Sequence, residues 1–325
     1  MKKIKVAING FGRIGRAFFK VAQDNPELKV VAVNDLGSME AMEYLLKYDT
    51  VYGQSQHTLE GVKYISEKDP TKLPWKALDI DVVVESTGLF VSTEKAQVHI
   101  DAGAKRVVIT APIKDDDSST VLVGLNENDL SKCKISSNAS CTTNAGSPLL
   151  AILDEALGIE KALLNTVHAY TASQALVDGP SKKDLREGRA AAQNIVPSST
   201  GAAIAVTKAM PHLSGLFDGI SIRVPVVVGS IVDITFISKK NTTAEEVNKI
   251  LKKAAGEARW KGIFTVTEEA LVSSDIKGNS YASIADLAFT RVVGGNLVKV
   301  LAWYDNEMGY THTLVEHVIK AGRLI

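Results

Sequence analysis

The chain has 325 residues, enough for two domains with substantial hydrophobic cores. Hydrophobic residues make up 45% and charged residues 23%, which is ordinary for a globular protein. The 37 basic and 37 acidic residues cancel, so nucleic acid and membrane surfaces are not expected as primary partners. No apolar stretch approaches the roughly 20 residues that span a bilayer.

The start of the chain and its cysteines bear on the compartment. Met1 to Ile4 lead directly into a predicted strand, which leaves no room for the apolar region of a signal peptide. Cys133 and Cys141 could pair in principle, but one precedes a strand and the other begins a helix. That setting indicates free thiols in a reducing compartment, so we expect a cytoplasmic protein.

The first predicted elements have the pattern of a dinucleotide-binding βαβ unit. A strand at residues 4–9 is followed by a glycine-rich turn, a helical segment and a second strand. Gly10 would make the tight turn, Gly12 would let the backbone approach a pyrophosphate, and Gly15 would let the helix pack on the strand. Asp35, after the second strand, can accept hydrogen bonds from ribose hydroxyls and would repel a 2′-phosphate. The pattern therefore predicts a cofactor site that prefers NAD to NADP. The alternative is that the glycine turn serves only the packing of helix on strand.

Further apolar runs extend this pattern into an α/β domain. Strands are predicted at residues 80–84, 106–109, 120–123 and 134–136, with a helix at residues 96–104. Near-continuous apolar runs suit parallel strands that are buried on both faces. We therefore predict a Rossmann-type, doubly wound parallel sheet with its ligand at the carboxyl ends of the strands.

Residues 137–144, Ser-Asn-Ala-Ser-Cys-Thr-Thr-Asn, place Cys141 between polar side chains ahead of a helical apolar run. Backbone N–H groups and the positive end of the helix dipole favour a thiolate at such a position. Neighbouring hydroxyls can bind an anion beside the sulfur. A buried, inert thiol is the usual alternative for an isolated cysteine, but the polar flanks favour a reactive nucleophile.

The second half supplies candidate partners for this thiol. A strand at residues 162–168 ends in His168, which alone would more often be a packing residue. Beside a nucleophile it becomes a candidate base, because a Cys–His pair can generate a thiolate and then handle protons. Arg223 lies in an apolar strand at residues 220–225, where burial is costly without a partner. A phosphate would be a suitable partner, and an internal salt bridge is the alternative.

Residues 171–198 form a long segment without a regular pattern. Such loops are uncommon in compact domains unless they are functional or held by a partner. Ala190, Ala191, Ile195 and Val196 make a disordered surface loop the weaker alternative. We therefore expect burial against a cofactor or a neighbouring subunit.

The remaining elements predict an α+β domain with a mostly antiparallel sheet. Strands up to residue 236 are followed by a covering helix at residues 244–255, a strand at residues 297–304 and a final amphipathic helix that includes residues 314–319.

The chain resembles the phosphorylating glyceraldehyde-3-phosphate dehydrogenases. The resemblance rests on residues 9–16, 137–144, 198–203 and 303–310, which span the chain in order. It implies NAD-dependent oxidation of D-glyceraldehyde 3-phosphate with inorganic phosphate to 1,3-bisphosphoglycerate, in glycolysis and gluconeogenesis. It also implies a homotetramer, with residues 171–198 at its core and lining the nicotinamide pocket.

The resemblance further implies roles for individual residues, with no metal site. Cys141 and His168 would be catalytic. The residues implied in NAD binding, beside the three glycines, are Arg13, Ile14, Asp35, Lys68, Thr110 and Asn306. Thr171 and Arg223 would hold the phosphate of the substrate. The site for inorganic phosphate would include Ser140, Thr142, Thr200 and Gly201.

Three departures from the family pattern accompany these matches. Lys68 stands where many members carry arginine, and the stretch between Asp35 and Lys68 is shorter than expected. Ala145 stands where many members carry a second cysteine, so Cys141 lacks a nearby resolving thiol.

The resemblance predicts the domain organisation and leaves two other functions open. Residues 1–140, completed by residues 306–325, would form the NAD-binding domain, and residues 141–305 the catalytic domain. Erythrose-4-phosphate dehydrogenase, in which water resolves the thioester, is the close alternative. A non-catalytic NAD-bound regulator or RNA-binding protein is the alternative of another class.

Overall fold

The computed structural model describes residues 2–113, 119–181 and 184–325. Residues 182 and 183 of the predicted segment 171–198 and Met1 of the predicted start therefore lie outside the described residues. The chain divides into two compact units. The first unit is Met1–Ser140 with Thr311–Ile325, and the second unit is Cys141–Tyr310. None of the helices in the described part of the chain has both the length and the apolar character needed to cross a membrane.

The first unit is built on a parallel sheet. Its strands, in chain order, are β1 (Ile4–Asn9), β2 (Leu28–Asn34), β3 (Tyr48–Asp49), β4 (Gly53–Gln54), β5 (Lys63–Ile65), β6 (Val82–Glu85), β7 (Arg106–Ile109), β8 (Ser119–Thr120) and β9 (Ile135–Ser137). Its helices are α1 (Arg13–Gln23), α2 (Met39–Lys47) and α3 (Thr93–Asp101). β3 and β4 pair only with each other, and the other strands form one sheet in the order β5-β2-β1-β6-β7-β9-β8.

Every strand pair in this sheet is parallel, as predicted. Side chains that point to both faces of β1, β6 and β7, such as Val6, Val83 and Val107, are fully buried. The strand order reverses at β1, which lies between β2 and β6, so the glycine-rich turn after β1 opens at the switch point of the sheet. The Rossmann-type prediction is confirmed.

β8 is shorter than the predicted strand at residues 120–123. The side chain of Asn126 accepts a hydrogen bond from the backbone N–H of Leu122 at 2.9 Å and donates one to the carbonyl of Thr120 at 2.9 Å. An Asn side chain that bonds nearby backbone groups replaces the partners a sheet would supply, and the chain turns.

The second unit contains a mixed sheet with helices on one face. Its strands are β10 (Ile159–Ala169), β11 (Val196–Ser199), β12 (Phe217–Val224), β13 (Ser230–Ser238), β14 (Phe264–Thr267), β15 (Ser283–Val293) and β16 (Leu297–Tyr304). Its helices are α4 (Cys141–Leu157), α5 (Ala202–Ala209) and α6 (Ala244–Ala255). α7 (Met308–Gly322) begins in this unit and continues into the first.

The strand order is β11-β12-β10-β13-β16-β15-β14. The pairs β10·β12 and β14·β15 are parallel and the other four pairs are antiparallel, so the mostly antiparallel prediction is confirmed. α4 packs on the face that carries Leu164, where Gly146 approaches so closely that a Cβ would lie 3.1 Å from Cδ1 of Leu164. Side chains on the opposite face, such as Leu163 and Ile220, stay exposed.

The predicted irregular segment 171–198 differs from the structure at its carboxyl end. β11 begins at Val196 and pairs antiparallel with β12 at the edge of the sheet. Val196 and Ala191 are buried within the second unit, whereas Leu176, Leu185 and Ile195 are exposed.

Candidate active site

Cys141 and His168 lie side by side in the second unit. α4 begins at Cys141, and β10 carries His168 one residue before its end. Sγ of Cys141 lies 3.3 Å from Nε2 of His168. Nδ1 of His168 lies 2.6 Å from the carbonyl oxygen of Ala169, which can only accept, and also faces Nη1 of Arg223, which can only donate. A base at Nε2 requires the tautomer that carries its proton on Nδ1 and donates it to this carbonyl. Nε2 then presents its lone pair to the thiol.

Arg223 is the third member of this cluster. β12 runs parallel to β10 in a register that pairs Arg223 with His168. Its Nη1 lies beside Nδ1 of His168 and donates to the carbonyl of Ala169 at 3.3 Å. No acidic side chain in the described ranges forms a salt bridge with Arg223, and its buried Nε has no hydrogen-bond partner there. A buried guanidinium without a carboxylate is suited to an anionic ligand.

The ionisation of this cluster follows from burial and from Arg223. Burial and the nearby guanidinium lower the pKa of His168 from 6.5 to about 3, so the ring is neutral at pH 7. Burial also raises the pKa of the Cys141 thiol, although the charge of Arg223 and hydrogen bonds involving Thr142 oppose the shift. Burial therefore opposes the thiolate that the helix start is expected to favour. The resting pair is a thiol and a neutral imidazole.

Tyr304, for which no role is predicted from the sequence, supports the pair. Its hydroxyl lies 2.9 Å from Oγ1 of Thr142 and 2.8 Å from Oγ1 of Thr166. Its ring meets the ring of His168 edge to face at 5.9 Å. Burial raises the pKa of Tyr304, so it stays a neutral hydroxyl. Thr166 could have been found from the sequence, because it precedes His168 by two residues and so shares its side of β10.

Asn306 accepts hydrogen bonds from residues at the start of β13. Its Oδ1 accepts from the backbone N–H of Gly229 at 3.1 Å and from the hydroxyl of Ser230 at 3.2 Å. The Ser230 hydroxyl in turn accepts from the N–H of Ala169 at 3.1 Å. Two donors at Oδ1 fix the amide orientation, so Nδ2 is the donor end.

The predicted phosphate-binding residues of the second unit lie at chain turns. Thr171 follows β10, and its Oγ1 lies 3.1 Å from Oγ of Ser173. Thr200 and Gly201 precede α5, where Oγ1 of Thr200 accepts from the N–H of Ala202 at 3.2 Å. The hydroxyl of Thr142 is bonded to that of Tyr304, and hydrogen bonds from Thr142 also reach the thiol of Cys141. Ser140 directly precedes Cys141 along the chain.

The glycine turn of the first unit has the geometry that a dinucleotide site needs. Gly10 has a φ of 94°, and a Cβ there would lie 2.7 Å from backbone atoms of Ser86 and Thr87. A Cβ on Gly15 would collide with the carbonyl of Gly10. Gly12 precedes the first turn of α1 with open space beside it, so a ligand phosphate can reach the helix terminus.

Asp35 is held against this turn. Its Oδ2 accepts from the N–H of Phe11 at 2.7 Å, and its Oδ1 accepts from the N–H of Gly37 at 2.9 Å. The guanidinium of Arg13 contacts Asp49 at 3.1 Å, so its side chain already has a carboxylate partner, and half-buried Ile14 follows it in α1. The two other predicted cofactor residues, exposed Lys68 and half-buried Thr110, follow β5 and β7.

No group of His, Cys, Asp and Glu side chains among the residues that the structure describes could hold a metal ion. Cys133 and Cys141 are both free thiols.

Comparison with known proteins agrees with this arrangement. Residues 4–93 match the family model described as glyceraldehyde 3-phosphate dehydrogenase, NAD binding domain, and residues 140–306 match that of the C-terminal domain. Fold and matches together define an NAD-dependent oxidoreductase.

Similar relatives include the glyceraldehyde-3-phosphate dehydrogenase of Streptomyces coelicolor, which is 45% identical over 98% of both chains. That of Borreliella burgdorferi is 47% identical over 96% of this chain and 98% of its own. Glyceraldehyde-3-phosphate dehydrogenase 3 of Saccharomyces cerevisiae is 46% identical over 98% of this chain and all of its own. The chain belongs to the glyceraldehyde 3-phosphate dehydrogenase family.

Proposed function

We propose that the chain oxidises D-glyceraldehyde 3-phosphate with NAD and inorganic phosphate to 1,3-bisphosphoglycerate, reversibly, in glycolysis and gluconeogenesis. The observation that carries the proposal is the 3.3 Å contact between Sγ of Cys141 and Nε2 of His168, with Arg223 beside them. A nucleophile, a base and an uncompensated cation in one cluster suit covalent chemistry on an anionic aldehyde.

The proposed NAD-binding domain, residues 1–140 with residues 306–325, includes the whole first unit, and the proposed catalytic domain, residues 141–305, lies within the second. Gly10, Gly12 and Gly15 fit a pyrophosphate because side chains there would block the turn or the helix terminus. Asp35 fits the ribose hydroxyls, with further contacts proposed for Arg13, Ile14, Lys68, Thr110 and Asn306. When bound, NAD supplies a hydride acceptor.

The proposed reaction begins at the neutral thiol–imidazole pair. Nε2 of His168 takes the thiol proton as Sγ of Cys141 bonds to the aldehyde carbon, and returns it to the oxygen, giving a hemithioacetal. His168 removes that hydroxyl proton again when the carbon loses its hydride, which leaves a thioester on Cys141. The backbone N–H of Cys141 is the proposed donor to the developing oxyanion.

Phosphate completes the proposed cycle. An oxygen of inorganic phosphate attacks the thioester carbon, the carbon–sulfur bond breaks, and His168 reprotonates the departing thiolate. Arg223 and Thr171 are the proposed ligands of the substrate phosphate. Ser140, Thr142, Thr200 and Gly201 are proposed for inorganic phosphate, where backbone N–H groups at the starts of α4 and α5 favour an anion.

We further propose a cytoplasmic homotetramer. On the face of the second unit's sheet that lies opposite α4, Leu163 is 66% and Ile220 55% exposed. The segment 171–198 adds Leu176, Leu185 and Ile195, which are 71–85% exposed. Apolar surface of this kind suits contacts with other copies of the chain.

The test is a spectrophotometric assay of NADH formation in which the aldehyde, NAD, NADP and phosphate are varied independently. The proposal expects turnover of glyceraldehyde 3-phosphate that requires phosphate and prefers NAD. Phosphate-independent turnover of erythrose 4-phosphate at a higher rate would instead identify an erythrose-4-phosphate dehydrogenase. Absence of turnover on both aldehydes, with NAD still bound, would favour a non-catalytic regulator.

A further inference from the structure

A buried polar network lies behind the glycine turn of the first unit, and the proposed reaction does not use it. Its side chains belong to Asn9, Asn34, Trp75, Glu85 and His99, and each is at most 6% exposed. Buried polar groups are costly unless every one is satisfied, so a network of five calls for a physical reason.

In one arm of the network, the donor and the acceptor of each hydrogen bond can be assigned. Nε1–H of Trp75 can only donate, and it donates to Nδ1 of His99 at 3.2 Å. His99 must therefore carry its proton on Nε2, which lies 2.9 Å from Oε2 of Glu85. The arm ends at the carboxylate of Glu85.

The other arm runs to the same carboxylate. The backbone N–H of Glu67 donates to Oδ1 of Asn34 at 2.9 Å, and Nδ2 of Asn34 donates to Oδ1 of Asn9 at 2.7 Å. Nδ2 of Asn9 then donates to Oε2 of Glu85 at 2.6 Å. Both outer ends, the Trp75 indole and the Glu67 amide, are obligate donors, so Glu85 is the common acceptor.

The members of the network stand next to the proposed cofactor residues. Asn9 directly precedes Gly10, Asn34 precedes Asp35, and Glu67 precedes Lys68. Oε1 of Glu85 accepts from the N–H and hydroxyl of Thr87, at the loop whose backbone meets Gly10. One carboxylate thereby joins the ends of three strands and the segment at Glu67.

We infer that Glu85 is a positioning residue for NAD, and that it sets cofactor affinity by holding these four segments in their binding geometry. The inference rests on the proposed cofactor site. It assigns no contact between Glu85 and NAD, because the carboxylate already accepts four hydrogen bonds from protein donors. Preorganisation of this kind lowers the ordering cost that binding must otherwise overcome.

The network cannot adapt to an amide at position 85. A Gln there would turn an NH₂ group toward the donors of Asn9 and His99 or toward those of Thr87. If the amides of Asn9 and Asn34 both flip, the NH₂ group of Asn34 faces the N–H of Glu67, which is also a donor. If His99 takes its other tautomer, its Nδ1–H faces the Nε1–H of Trp75. Glu85→Gln therefore leaves at least two donors facing each other, with almost no change in volume.

The experiment measures the dissociation constant of NAD by calorimetry, together with kcat and thermal unfolding. Glu85→Gln is expected to weaken NAD binding at least tenfold, while kcat at saturating NAD changes less than threefold. His99→Gln, which retains a donor near the Nε2 position, is expected to bind NAD within threefold of the parent. His99→Leu, which removes that donor, is expected to lose at least fivefold.

Asp286→Asn is the matched control in the second unit. Asp286 is also buried and accepts from an indole, Nε1 of Trp303 at 3.0 Å, and from the N–H of Ala288. This variant should unfold at a lower temperature and bind NAD normally.

Folded Glu85→Gln with parental affinity for NAD would overturn the inference, however low its unfolding temperature. If Glu85→Gln does not fold, the His99 pair decides, and equal NAD affinity of His99→Gln and His99→Leu would overturn it. Failure of the parent protein to bind NAD would remove the proposed cofactor site and the inference together.

Discussion

The protonation state of Cys141 is decided by neighbouring groups that act in opposite directions. Burial raises the pKa of the thiol, and the guanidinium of Arg223 lowers it. The same charge helps to keep His168 neutral, with a pKa of about 3. His168 therefore has its base form available throughout the neutral range, and the thiol is the group whose ionisation changes with rising pH.

Arg223→Gln should shift alkylation of Cys141 by iodoacetamide to higher pH, because the variant loses the charge that favours the thiolate. The displacement should be upward, because the guanidinium lowers the pKa of the thiol in the parent protein. The measurement is the alkylation rate from pH 6 to 10 without substrate. Arg291→Gln, which removes an arginine that donates to the carbonyls of Ala288 and Thr290, is the control. An unchanged profile for Arg223→Gln would contradict the assigned electrostatics.

Cys141→Ser should abolish dehydrogenase activity and leave NAD binding intact. A serine hydroxyl is a far weaker nucleophile near pH 7, even with His168 as its base. Turnover and NAD calorimetry on the same preparation separate the two properties. Substantial residual turnover would rule out the covalent route.

Asp35→Ala should narrow the preference for NAD over NADP. A carboxylate beside a 2′-phosphate is a like-charge contact that costs several kcal/mol, so its removal should change the ratio of specificity constants by about tenfold or more. Glu94→Ala, which removes an exposed acid from α3, is the control. A constant ratio in Asp35→Ala would place Asp35 away from the ribose.

At the scale of elements, local signals and long-range pairing contributed differently to what could be predicted. α6 has its predicted bounds because Thr243 caps it through the N–H of Glu246, a signal within four residues. β8 was predicted too long because Asn126 takes over backbone groups that a strand would have used.

In the candidate active site too, some features follow from local sequence pattern and others from pairing between distant strands. The helix start at Cys141 and the strand before His168 were predictable from local pattern and resemblance. The registers that bring Arg223 and Tyr304 to His168 come from pairings across the sheet, which no local pattern contains. The network around Glu85 was missed for the same reason, since its bonds join residues up to 76 positions apart.

α7 carries a test at this scale. His317 is fully buried between Ser136, at 2.8 Å, and Asn138, at 3.2 Å, and burial lowers its pKa from 6.5 to about 3. The folded state therefore resists protonation that the unfolded chain accepts. Its contribution to stability is complete above pH 6.5 and is lost as the pH falls toward 3.

His317→Gln should consequently flatten the fall of unfolding free energy with acid. Between pH 7 and pH 5 the parent should lose about 2 kcal/mol more than the variant, at about 1.4 kcal/mol per pKa unit. Urea unfolding followed by circular dichroism at both pH values provides the comparison, and His168 contributes equally to both proteins. Parallel losses would show that His317 is protonated in the folded state.

At the scale of the whole molecule, the exposed apolar surface of the second unit is the main feature still to be explained. Leu163 and Ile220 are exposed on the sheet face opposite α4, and Leu176 and Leu185 are exposed in the segment 171–198. A single copy leaves these side chains in water, and assembly would bury them.

Light scattering at micromolar concentration should therefore give the mass of a tetramer. Leu163→Asp should lower that mass, whereas Lys249→Glu, on an exposed position of α6, should not. Dilution should reduce activity, and added NAD should oppose the loss by mass action. A fully active monomer would refute the assembly and the role proposed for the segment 171–198.

The course of the chain also has a consequence for biosynthesis. The first unit needs Thr311–Ile325, and Ser136 meets His317 only after a further 181 residues have been made. The second unit is continuous from Cys141 to Tyr310 and has no such delay. The unit whose synthesis begins first is thus the unit whose chain is completed last. A released chain that ends at residue 310 should therefore leave the parallel sheet of the first unit unfinished and open to proteases, while the second unit can already be protected from them.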